Sequence, residues 1–130
     1  FSAYKDGSII KVQIGENTLN LTVAKSDLAK AKGLSNRKEI PQDGMIFLFD
    51  EPQILVFWMK DMLFAIDIIW INQNKVLGFY ENAAPQGDIP DIHLLRYRSP
   101  APSNIVIELK AGSVKKLNIK KDDLFRIKGE

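Results

Sequence analysis

The chain has 130 residues, enough for one domain that buries about two thirds of the surface its unfolded form would expose. Its 18 Lys and Arg against 16 Asp and Glu leave a net charge of +2, which excludes the one-sided basic surface of a nucleic-acid or anionic-membrane binder. There is no cysteine to staple the fold and no run of about 18 apolar residues to span a membrane, so stable membrane insertion is not expected.

SIIKVQIGENTLNLTVA, residues 8 to 24, alternates apolar and polar residues on both sides of Gly15-Glu16-Asn17 and predicts a β-hairpin. Ser26 follows as a helix N-cap, with Asp27 opening the helix DLAKAK and Gly33 ending it. LSNRKEIPQD, 34 to 43, is a polar connection. MIFLFD, 45 to 50, is a short strand, Glu51-Pro52-Gln53 a turn, ILVFWMK, 54 to 60, the next strand, and AIDIIWIN, 65 to 72, the one after it. Asn72 to Lys75 forms a hairpin turn into VLGFYEN, 76 to 82.

Residues 83 to 103 hold four of the six prolines and no period, and a segment of that length in a compact domain is commonly a functional loop or a disordered one. Pro85, Pro90, Pro100 and Pro102 reduce the entropy lost on ordering, and Ile89, Ile92, Leu94, Leu95 and Tyr97 supply apolar contacts. The segment is therefore expected to pack over the sheet as an Ω-loop. NIVIELKAG, 104 to 112, returns to a strand, SVKKLNI, 113 to 119, is a short helix, and DLFRIK, 123 to 128, is the last strand. About eight strands and two short helices give an antiparallel, barrel-like sheet in a single domain, class α+β or mainly β.

The stretch FWMKDMLFAIDIIWI, 57 to 71, is apolar enough for a central strand yet carries Lys60, Asp61 and Asp67. Alternation puts Asp67, Ile69 and Ile71 on one face and Ile66, Ile68 and Trp70 on the other, so the strand is buried on both sides. A buried Asp67 must be hydrogen-bonded, because an unpartnered carboxylate there costs several kcal/mol. Arg37, Lys60 and the main-chain amides of 61 to 65 are its candidate partners, and a structural role is the simpler reading. Arg37 is expected to bind a carboxylate or main-chain carbonyls through its fork. Asp61 is a normal turn residue.

The chain offers little for catalysis. Ser99 or Ser103 could be set with His93, the single histidine, and Asp88 or Asp91, but no G-x-S-x-G pattern is present. One histidine and no cysteine argue against a zinc site, and Asp43, Glu81, Asp88 and Asp91 lack calcium-loop spacing. Glycines scattered singly make no phosphate loop, so no cofactor is expected. Lys115, Lys116, Lys120 and Lys121 read as a solvated face.

Four segments carry a family resemblance: GLSNR at 33 to 37, GMIFLF at 44 to 49, FWMKDMLFAIDIIWI at 57 to 71, and IVIELKAGSVKKLNIKKDDLFRI at 105 to 127. In order and spacing they resemble the prokaryotic family called domain of unknown function 192, whose members read GLM-x-R, GMLF-x-F, FWMKNT-x-x-x-LDI-x-F-I and VLE-x-x-AG. The resemblance covers about 33 to 128, preceded by the hairpin and first helix. It implies no agreed activity, and it implies an exported protein whose signal segment or anchor has been removed, placing the chain outside the cytoplasm. Asp61-Met62 replaces Asn-Thr, while Asn118 and Asp122 each replace a Gly.

The expected function is a monomeric, non-catalytic binding or accessory module for a small molecule or peptide, with a cleft under 83 to 103 bordered by Trp58, Lys60, Tyr80 and His93. The alternative is a hydrolase-type enzyme using Asp67, Lys60 and His93.

Overall fold

The computed structural model describes residues 1–130 as nine strands and two short α-helices. The alternating start folds as the hairpin Ile9–Ile14 (β1) and Asn17–Ala24 (β2), turned at Gly15 and Glu16. Ser26 caps the helix Asp27–Lys32 (α1) by accepting the Ala29 N–H at 3.1 Å, and Gly33 ends it at φ 48°. Gly44–Gln53 (β3), Ile66–Asn72 (β5), Lys75–Ala83 (β6) and Ser103–Lys110 (β8) form the middle of the sheet. Between β3 and β5 lies the two-residue strand Val56–Phe57 (β4), and between β6 and β8 lies Tyr97–Arg98 (β7). Ser113–Lys116 (α2) and Phe125–Ile127 (β9) complete the chain.

Seven strands form one sheet in the order β6-β5-β8-β3-β2-β1-β9, and β4 pairs with β7 in a separate ribbon. The sheet is mostly antiparallel, as expected, with one parallel pair. β2 runs parallel to β3, with α1 and residues 33–43 making the crossover between them. The sheet curls into a half-barrel whose edges touch at one bridge, Lys75 to Leu124, reinforced by the Val76 N–H donating to the Asp123 carbonyl at 2.9 Å. One apolar cluster draws residues from all seven strands, including Val12, Leu21, Ile46, Ile69, Val76, Ile107 and Phe125, and fills the concave side. A second cluster covers the outer face of β3, β5 and β8 through Met45, Phe47, Ile66, Ile68, Trp70 and Val106, with Leu34, Leu55, Met59 and Met62 laid over them. β5 therefore sends Ile69 and Ile71 to one cluster and Ile66, Ile68 and Trp70 to the other, as its alternation requires.

Two local expectations fail. Residues 54–60 are not a sheet strand, because both edges of β3 and both edges of β5 are already occupied. The segment crosses the outer face instead, pairs only through Val56 and Phe57, and turns at Met59–Met62 with Asp61 at φ 58°. Glu51-Pro52-Gln53 is not a turn. The chain stays extended to Gln53, past a register break against β8.

Residues 84–102 are ordered by specific contacts. Asp91–His93 forms a 3-10 turn, β7 lies on β4, and Leu94, Tyr97 and Ser99 are buried. Ser99 exchanges two bonds with Leu55, its N–H donating to the carbonyl at 2.8 Å and its Oγ accepting at 2.9 Å.

Candidate functional site

Asp67 is fully buried and accepts three main-chain hydrogen bonds. Oδ1 takes the Asn82 N–H at 2.8 Å, and Oδ2 takes those of Gly112 at 3.1 Å and Val114 at 2.9 Å. The register of β5 against β6 shifts between Ile66 and Ile68, where β6 carries an extra residue. Asn82 sits there at φ 57°, which turns its N–H toward the carboxylate. Asp67 thus ties the bulge of β6 to the entry of α2, and none of the partners anticipated from sequence is used. Asp67→Asn keeps the shape but places an amide NH2 among N–H donors, and is expected to cost about 1–3 kcal/mol in urea unfolding. An unchanged midpoint would show that these bonds are dispensable.

Lys60 instead donates to Asp91 Oδ2 at 3.0 Å in an exposed ion pair, and its Nζ lies 5.4 Å from the Trp58 ring centre. The hydrogen bond to Asp91, with that carboxylate's charge, raises the Lys60 pKa. The Arg96 guanidinium lies 4.6 Å above the same indole and donates to the Leu94 and Asp91 carbonyls. His93 is exposed at the end of its 3-10 turn. Asp67, Lys60 and His93 are therefore not assembled into one site. Ser99 and Ser103 are buried and spend their hydroxyls on main-chain groups. The Arg37 fork expected from sequence is not formed: its Nε is buried without a partner, and the one ion pair is Lys60–Asp91.

Two recesses open on the outer face. The first, of about 600 Å³, lies between β5–β6 and the segment 95–100. Trp70, Tyr80 and Tyr97 wall it, the two tyrosine rings standing 4.5 Å apart at 58°. Arg96, Arg98 and Lys121 reach it, and no carboxylate lines it. The Trp70 indole N–H is buried without a partner. Burial, and secondarily Tyr80, pushes the Tyr97 hydroxyl pKa up. Of the four residues expected to border a cleft, Tyr80 lines this recess, Trp58 lines the second recess and stacks on Arg96, and Lys60 and His93 line neither.

The second recess, of about 290 Å³, lies between the end of α1 and residues 55–58. Phe47, Phe49, Leu55, Phe57, Trp58 and Met62 wall it, and Glu108 reaches it from β8. Glu108 is only 5% exposed, has no hydrogen-bond partner among protein groups, and is pushed by burial to a pKa of about 8. Sequence reasoning missed this residue. The signal was available: Glu108 interrupts the apolar run IVIEL and shares a face with Val106, opposite Met45 and Ile68.

These features define a small β-rich half-barrel domain with two recesses on its outer side. The chain belongs to the family described as domain of unknown function 192, an uncharacterised ACR, whose model matches residues 10–127. The match begins in β1, so the hairpin and α1 lie within the family domain. Asn118 and Asp122 adopt φ 55° and 71°, a conformation that Asn and Asp tolerate better than most residues.

A crystal structure from Sinorhizobium meliloti, described as that of a candidate transcription regulator, is similar over 98% of this chain and 100% of its own, with TM-score 0.84 and 24% identity. A protein of unknown function from Novosphingobium aromaticivorans is similar over 91% of this chain and 84% of its own, with TM-score 0.78 and 27% identity. No significant match is found among curated proteins. No helix is long and apolar enough to cross a membrane.

Proposed function

We propose that the domain is a binding module whose recess under residues 95–100 takes a small anion with a flat apolar body. The observation that supports this reading is the lining: three cations, Arg96, Arg98 and Lys121, around aromatic walls with no carboxylate among them. An anion gains charge-assisted bonds from the guanidinium forks, and a ring stacks on the tyrosine pair. The unpartnered Trp70 N–H is a further donor at the wall. The Arg96 stack on Trp58 ties the recess to the FWMK segment, which links 95–100 to the middle of the chain.

Phenyl phosphate is a suitable probe, with benzyl alcohol as its neutral comparison. Calorimetry is expected to show phenyl phosphate binding that weakens with salt and falls about tenfold or more in Arg98→Ala, the loss of one charge-assisted bond. Equal binding of the alcohol, or unchanged affinity in Arg98→Ala, would remove the reading.

A further inference from the structure

We propose that the recess over Glu108 is a second, independent site that takes a small apolar amine, its ammonium donating to the Glu108 carboxyl and its body lying on the Phe47, Phe57 and Trp58 rings. A carboxyl this deeply buried is almost always hydrogen-bonded, yet Glu108 meets no protein donor. It is not sealed in the core either, since it lines an open recess.

The charged groups nearest the recess do not complete it. Lys30, on α1, already donates to the Leu48 carbonyl at 3.0 Å and lies 4.1 Å from the Phe49 ring centre. Lys32 is exposed at the end of the same helix. The residues paired with Glu108 from β3 and β5 are Met45 and Ile68, which do not titrate. The donor therefore comes from outside the protein, from solvent or from a ligand that displaces it.

The walls select its chemistry. Aromatic faces attract cations, and two of them already do so, Phe49 holding Lys30 and Trp58 holding Lys60 and Arg96. Phe47 and Phe57 pack edge to face at 5.3 Å and carry no protein cation. A hydrocarbon would leave the carboxyl unpaired, and a second carboxylate would place like charges together. An ammonium supplies both the N–H donors and the opposite charge. The recess, at about 290 Å³, is at the small end of the roughly 300–1,000 Å³ typical of ligand pockets, which limits the body to about one ring.

Binding is coupled to a proton. Burial keeps the Glu108 carboxyl protonated near neutral pH. An entering ammonium pairs with the carboxylate, and the carboxyl proton leaves to solvent. Affinity therefore rises with pH until the carboxyl is ionised in the free protein, and falls where the amine loses its own proton.

Calorimetry with 2-phenylethylamine tests the site, with 2-phenylethanol and 3-phenylpropanoate as the neutral and acidic comparisons. The amine is expected to bind at least about tenfold tighter than the alcohol, the worth of a charge-assisted bond. Its affinity should rise between about pH 6.5 and 8, with proton release read from two buffers of different ionisation heat. Glu108→Gln should abolish the preference for amine over alcohol, whereas Arg98→Ala, in the other recess, should leave it intact. Equal binding of amine and alcohol, absence of binding by both, tighter binding of the acid, or a preference that survives in Glu108→Gln each overturns the proposal. The pH series and the alcohol comparison on the unaltered chain decide the matter even where Glu108→Gln fails to fold.

Discussion

Between about pH 5 and pH 8 the unliganded protein is expected to lose stability as the pH rises, and Glu108→Gln is expected to abolish most of that loss. The cause is the depth of one carboxyl on β8. Burial raises Glu108 from the ordinary 4.5 to about 8 in the folded chain. In that window the folded state holds a proton that the unfolded state has released. Raising the pH therefore favours unfolding, by close to 1.4 kcal/mol for each pH unit in the middle of the window. The stabilisation is fully present below the unfolded value and is gone above the folded one, a total on the order of 3–5 kcal/mol.

Urea unfolding at steps between pH 5 and 8 reads this directly. The wild-type midpoint should fall steadily, while that of Glu108→Gln should stay nearly level and exceed the wild type at the alkaline end. A level wild-type profile would mean that Glu108 finds a partner in solution, and would remove the physical basis of the amine site. Saturating 2-phenylethylamine should flatten the slope, because the carboxylate is then the bound form and neither state holds the proton in this window.

The half-barrel was largely legible because its strands obey local rules. The hairpin β1–β2 alternates cleanly, the cap at Ser26 is made as its residue type suggests, and β5 divides its side chains between two cores as period two demands. What failed was non-local. Residues 54–60 have the composition of a strand, but strand pairing requires a free edge, and the sheet order leaves none beside β3 or β5. The parallel β2–β3 pair depends on a crossover through α1, which no local pattern in either strand announces.

The site was less legible for a related reason. Asp67 and Glu108 are both lone carboxyls in apolar strands, and sequence treats them alike. Their difference lies in what the fold brings to them. Asp67 meets the turned N–H of Asn82 and two amides at α2, whereas Glu108 meets methionine, isoleucine and an open recess. Donors contributed 15 to 47 residues away in the chain decide which carboxyl is structural and which is left for a ligand.

Gly44→Ala is expected to destabilise the fold by more than about 3 kcal/mol, beyond the usual range for overpacking. Gly44 opens β3 between β2 and β8, opposite Leu21 and Leu109. A Cβ built there would stand 2.2 Å from the Glu108 carbonyl oxygen and 2.9 Å from Leu109 Cδ2. The leucine can turn aside, but the carbonyl belongs to the ladder of β8 and cannot move without parting the strands. Replacing Gly by Ala ordinarily stabilises by about 0.4–1 kcal/mol through the unfolded chain, so a clash with main chain is what sets the sign here. Parting β3 from β8 also shifts the strand that carries Glu108, so the variant should lose the preference for amine over alcohol along with its stability. Denaturant unfolding measures the first effect and calorimetry on the folded fraction the second. A Gly44→Ala midpoint within experimental error of the wild type would show that β8 can yield at Glu108, and that the close approach of the two strands does not hold the carboxyl in its recess.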